Sequence, residues 1–136
     1  MLKIDKKKAA EYFQKSAENG NIKSMYRYGL MLFYGNGIQE NKELEIAYVK
    51  KSAELNNVDA INVLGYLYKS GKGVELDYTK AREYYEMSAK QNHADSLCYL
   101  GDLYRKGEGV NQDFAKAKEY YELSAKQNNS DALDGL

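Results

Sequence analysis

Residues 64–89 read LGYLYKSGKGVELDYTKAREYYEMSA, and residues 100–125 read LGDLYRKGEGVNQDFAKAKEYYELSA. The two stretches are offset by 36 residues, and their glycines fall into three columns: Gly29, Gly65 and Gly101; Gly35, Gly71 and Gly107; Gly37, Gly73 and Gly109. Self-similarity at a fixed period marks a repeat architecture. Residues 60–95 and 96–131 share 20 of 36 positions, whereas 24–59 and 60–95 share 8, so the first full unit has diverged most.

Each unit reads as two helices. Ile61, Leu64, Leu67 and Tyr68 form an apolar stripe of helical spacing that Leu97, Leu100, Leu103 and Tyr104 repeat, defining a helix A. Gly71-Lys72-Gly73 then ends that helix and turns the chain, because glycine adopts positive φ without steric cost. Asp5, Asn41, Asp77 and Asp113 recur where a short acceptor caps the next helix start. Helix B follows, with Tyr78, Ala81, Tyr85, Ser88 and Ala89 on one side, matched by Phe114, Ala117, Tyr121, Ser124 and Ala125. Gly20, Asn56, Asn92 and Asn128 are expected to close helix B in a left-handed conformation.

One thin hairpin cannot bury its stripe alone, whereas stacked neighbours make a continuous core. The expected fold is therefore all-α, a right-handed α-solenoid forming a single domain over 1–136. A leading helix B spans 5–19, repeats follow at about 23–58, 59–94 and 95–130, and a partial repeat occupies 131–136.

Composition narrows the function classes. Lys and Arg total 20 and Asp and Glu total 20, so no field of one sign draws nucleic acid or an anionic membrane towards the chain. No apolar run approaches the roughly 20 residues that cross a bilayer, and Met1-Leu2-Lys3-Ile4 does not open a secretory signal. Cys98 alone cannot form an internal disulfide, and a cytoplasmic location is expected. No cofactor or metal is expected.

The pattern Leu64-Gly65, Tyr68, Gly71, Gly73-Val74, Asp77, Lys80-Ala81, Tyr84-Tyr85 and Ala89, repeated from Leu100 to Ala125, resembles the Sel1-like repeat family, relatives of the tetratricopeptide repeats. The first unit departs from it, with Glu45 where Ala81 and Ala117 stand, Tyr28 for the leucine and Leu32 for the first tyrosine. The resemblance implies a scaffold or adaptor with no shared reaction.

In such solenoids the face of helix A turned away from helix B lines a concave ligand groove. The glycine register places Tyr26, Leu30, Phe33 and Tyr34 there, then Asn62, Tyr66 and Lys69, then Cys98, Asp102 and Arg105. The first set is apolar and the others polar. A protein or peptide partner anchored on the apolar set is expected, although a divergent repeat could instead repack these side chains inside the protein.

Other classes are poorly supplied. A Cys/His pair would have to come from His93 in a turn and Cys98 on a helix, and the Gly-x-Gly elements follow a helix rather than a strand, unlike phosphate loops. The tyrosine columns could stack on RNA bases, but the balanced charge opposes that reading. Self-association through uncapped repeat ends remains the structural alternative.

Overall fold

The computed structural model describes residues 5–34 and 41–134, with side chains described for 5–32 and 41–128. The described residues form helices α1 (Lys6–Glu18), α2 (Ile22–Tyr34), α3 (Lys42–Glu54), α4 (Val58–Ser70), α5 (Tyr78–Ala89), α6 (Ala94–Lys106) and α7 (Phe114–Asp134), with no strand. The fold is an all-α repeat in which B and A helices alternate. The chain divides into two compact units, Met1–Ala60 and Ile61–Leu136.

The helix B starts follow the caps read from sequence. Asp5, Asn41, Asp77 and Asp113 accept the backbone N–H groups of Lys8, Leu44, Lys80 and Lys116. The exits follow the glycine and asparagine columns. Gly71 and Gly107 take φ of +69° and +70°, and Asn56 and Asn92 reach 68° and 59°. The Asn56 exit is closed by Asn56 N–H to the Ala53 carbonyl at 2.9 Å and Asn57 N–H to the Ser52 carbonyl at 3.0 Å.

Asn128 does not act this way. α7 runs through it to Asp134, and residues 131–134 of the expected partial repeat continue the helix; residues 135–136 lie outside the described residues, as do Gly35 and Gly37. The physical reason is one of balance. A left-handed asparagine is strained and is repaid when a returning helix packs, whereas simple propagation adds a hydrogen bond per residue.

Helix A starts carry a second set of caps. Asn21 accepts Ser24 N–H at 2.9 Å, Asn57 accepts Ala60 N–H at 3.0 Å, and His93 Nδ1 accepts Ser96 N–H at 3.3 Å. This column, 36 residues apart like the others, was not singled out in the sequence.

In the unit Met1–Ala60, Ala17, Met25, Tyr28 and Leu32 form the core with Phe13 and Tyr48 against them. Tyr28 and Tyr48 meet edge to face, 5.2 Å between centroids at 78°. Glu45 occupies the buried position of Ala81 and Ala117, 3% exposed. In the unit Ile61–Leu136 the core is Tyr68, Ala81, Tyr85, Leu100 and Leu103. Here the tyrosine columns pack as hairpin braces: Tyr68 stacks on Tyr84 and Tyr104 on Tyr120, both at 5.7 Å, with Lys80 and Lys116 over the inner rings.

The serines keep the helix B face thin and also pair. Ser16 meets the Ser24 hydroxyl at 2.8 Å, and Ser88 meets Ser96. Ser52 instead donates to the Ile22 carbonyl at 3.3 Å and Ser124 to the Ala94 carbonyl at 2.8 Å. The alternation follows the partner column, which reads Ser24, Ala60, Ser96. Where that column offers a hydroxyl, the preceding helix B serine bonds it.

Candidate functional site

The glycine column sets the geometry of the outer face. A Cβ on Gly65 would stand 2.6 Å from Tyr85 Cε1, and one on Gly101 would stand 2.7 Å from Tyr121 Cε1. Each glycine thus seats the ring of a helix B tyrosine, whose hydroxyl passes over the neighbouring helix A. Gly29 faces Val49 Cγ2 at 3.1 Å instead. In register with these seats stand Leu30, Phe33 and Val49, then Tyr66, Lys69 and Tyr85, then Asp102, Arg105 and Tyr121.

In the last cluster the polar groups satisfy one another. The Tyr121 hydroxyl donates to the Asp102 carboxylate, Arg105 Nε donates to the Tyr121 oxygen at 3.2 Å, and Arg105 Nη2 lies 3.7 Å from Asp102. Burial and the bond to Asp102 push the Tyr121 phenol up, with Arg105 opposing.

The middle cluster is arranged differently. Tyr66 is 37% exposed, and its hydroxyl accepts from Lys72 Nζ at 2.9 Å while that ammonium lies 5.1 Å from the ring centroid. Half-buried Lys69 places Nζ 5.6 Å from the Tyr99 centroid, and Tyr99 packs on Tyr85 at 5.2 Å. Tyr85 is fully buried, and its hydroxyl has no hydrogen-bond partner among the described residues. Burial raises its phenol strongly, with Tyr99, Tyr66 and Asp102 adding to the effect.

The sequence-derived groove positions are distributed as follows. Asn62 is half-buried, and its Oδ1 accepts the Ser96 hydroxyl at 2.7 Å, tying α4 to α6. Lys69 reaches over the Tyr99 ring, Tyr66, Cys98 and Asp102 lie within electrostatic reach of Tyr99, and Arg105 lies beside Asp102. In the other unit Tyr26 and Leu30 are half-buried on α2. Phe33 and Tyr34 fall in the last turn of α2, their side chains outside the described residues. Sequence reading missed Tyr99, Lys72 and the reach of Tyr85 and Tyr121. The signal for the last two was present, since a glycine column opposite a tyrosine column implies a ring seated on backbone.

His93 and Cys98 do other work here. The His93 Nδ1 contact with Ser96 N–H caps α6, and burial, then Asp102 and Asp95, pushes the Cys98 thiol up, away from the reactive thiolate. Among the described residues no cluster of three or more His, Cys, Asp or Glu side chains could hold a metal, and no helix is long and apolar enough to cross a membrane.

Known proteins agree with this repeat geometry. The Sel1 repeat profile matches residues 1–21, 22–57, 58–93 and 94–129. A Sel1 repeat protein from Oxalobacter formigenes is 31% identical with a TM-score of 0.89, covering 93% of this chain and 51% of its own. A protective antigen of uropathogenic Escherichia coli with an SLR fold is 30% identical with a TM-score of 0.84, covering 87% of this chain and 25% of its own. Helicobacter pylori cysteine rich protein B is 30% identical with a TM-score of 0.70, covering 100% and 98%. The chain thus spans about half of the first of these and a quarter of the second. No curated protein sequence matches it. With the profile matched in four successive segments over nearly its whole length, this chain belongs to the Sel1 repeat family.

Proposed function

We propose that this chain is a non-catalytic adaptor that holds a peptide or helix of a protein partner on the outer face of its A helices. Sel1-repeat proteins generally act as protein-interaction scaffolds. The contact residues are Tyr26, Leu30, Phe33 and Tyr34 on α2, Asn62, Tyr66 and Lys69 on α4, and Asp102 and Arg105 on α6.

The observation that carries the reading is the outer face of α4 and α6. Tyr66 stands 37% exposed with the Lys72 ammonium against its ring and hydroxyl, while Leu64, Leu67, Leu100 and Leu103 already fill the core. An aromatic ring outside the core, with a cation against it, is the composition of an interface anchor. Partner capture by the native chain, by a Leu30→Asp/Phe33→Asp variant and by Tyr66→Ala tests it, with helicity checked by circular dichroism. Loss of specific partners from folded variants is expected; unchanged capture contradicts the assignment.

A second reading, self-association, has its own observation. Phe114 on α7 is 67% exposed, whereas Tyr78, its counterpart in the preceding repeat, is half-buried and packs tightly against Gly109. A Phe114→Lys variant that changes the sedimentation behaviour of the native chain would support it.

A further inference from the structure

The helix B face that is covered on α5 stands open on α7. On α5 it carries Tyr78, Ala81, Arg82, Tyr85, Glu86 and Ala89, and α6 packs there: Tyr99 meets Tyr85 at 5.2 Å, and Leu100 and Leu103 share a core with Ala81 and Tyr85. The residues 36 positions later are Phe114, Ala117, Lys118, Tyr121, Glu122 and Ala125, which with Arg105 line a hollow of about 320 Å³. The ion pair of this face measures the difference. Arg82 and Glu86, 3.4 Å apart, have side chains 29% and 36% exposed, whereas those of Lys118 and Glu122, 3.9 Å apart, are 77% and 67% exposed. Phe114 and Ala125 are likewise exposed where Tyr78 and Ala89 are half-buried.

The chemistry of the open face is complementary to itself. Phe114, Ala117, Tyr121 and Ala125 form a stripe of helical spacing along which a second helix can lie, and the two alanines admit close approach. Lys118 and Glu122 stand four residues apart on one rim of that stripe. Consider two copies of α7 packed antiparallel about a twofold axis midway between Lys118 and Glu122. Each Lys118 then faces the other copy's Glu122, each Phe114 lies against the other copy's Ala125, and each Tyr121 lies beside the other copy's Ala117. A parallel pair would set lysine against lysine. Because acidic and basic residues of the whole chain balance, 20 against 20, no net repulsion opposes the approach of two copies.

We propose that two copies of this chain associate through α7, antiparallel about a twofold axis, with two reciprocal Lys118–Glu122 pairs flanking the stripe from Phe114 to Ala125. This rests on the self-association reading and specifies it as a closed dimer rather than an open end-to-end stack.

Sedimentation equilibrium of the full chain from micromolar to millimolar concentration tests it, with helicity checked by circular dichroism. The native chain shows a monomer–dimer equilibrium and no larger species. Lys118→Glu sets acids against acids across the axis and Glu122→Lys sets bases against bases, so each variant alone dimerises severalfold more weakly. Mixed in equal amounts, the two variants dimerise with each other, and Lys118→Glu/Glu122→Lys dimerises with itself. Both side chains are mostly in solvent, so these variants keep their fold. A native chain that stays monomeric throughout overturns both this proposal and the self-association reading. Association weakened by Phe114→Lys but indifferent to the charge variants keeps that reading and overturns the antiparallel α7 pair. A mixture that fails to recover, or growth beyond a dimer, overturns the pair as well.

Discussion

The Tyr121 hydroxyl of α7 donates to Asp102 of α6 across the backbone of Gly101, and Tyr85 crosses Gly65 in the same way without finding a carboxylate. One repeat thus completes a polar cluster that its neighbour leaves open. Tyr121→Phe should therefore destabilise the protein by about 1 kcal/mol, whereas Tyr85→Phe should be neutral or stabilising. Chemical denaturation of the two variants checks the contrast.

The glycine seats themselves make a graded series. Gly65→Ala and Gly101→Ala force a methyl group into a tyrosine ring at 2.6 and 2.7 Å and should each cost about 1–3 kcal/mol. Gly29→Ala meets Val49 Cγ2 at 3.1 Å and should cost less. Equal melting temperatures for the three variants would refute the ring-on-backbone description.

Much of this was legible beforehand, and the division is physical. Glycines at positive φ and Asp or Asn caps are local demands of the backbone, so their columns at Gly71, Gly107, Asp77 and Asn92 could be read directly. The destination of a hydroxyl depends on a residue in another helix. Ser52 and Ser88 look identical in sequence, yet only Ser88 adds a serine hydroxyl to its carbonyl bonds, because Ala60 stands in the other repeat where Ser96 does. His93 was read as a turn residue, since histidine is an uncommon stand-in for the asparagine that caps the other A helices. The continuation of α7 past Asn128 was illegible for the opposite reason: the local signal was present, but helix propagation, which adds a hydrogen bond per residue, overrides it.

The buried hydroxyl network around Ser96 should be strongly coupled. Ser96 touches Ser88, Asn62 and the His93 ring, so Ser96→Ala leaves polar partners stranded and should cost about 1–3 kcal/mol. Ser88→Ala together with Ser96→Ala should cost less than the sum of the two changes, which a double-mutant cycle measures.

His93→Ala removes the α6 cap and should lower stability by about 1 kcal/mol, while His93→Asn, the residue type at positions 21 and 57, should restore it. Guanidinium midpoints of the three proteins decide this.

Alkali should unfold the protein cooperatively. Burial raises the phenols of Tyr28, Tyr48, Tyr85, Tyr99, Tyr120 and Tyr121 above their ordinary value of 10.0. Above that value the unfolded chain has released protons that the native state retains, so it binds fewer of them and stability falls as pH rises. Full stability below pH 10 and a decline above it, followed by melting temperature and tyrosinate absorbance, is the expected result; a flat profile would contradict it.

The central claim is that the outer face of the A helices holds a partner. Titration calorimetry of a captured partner against the native chain, Tyr66→Ala and Tyr12→Ala, an exposed α1 position away from the proposed contacts, tests it most directly. The account predicts that Tyr66→Ala weakens binding by at least about tenfold, the range of an aromatic interface anchor, while Tyr12→Ala does not. Equal affinities for all three proteins, each shown to be folded, would contradict it.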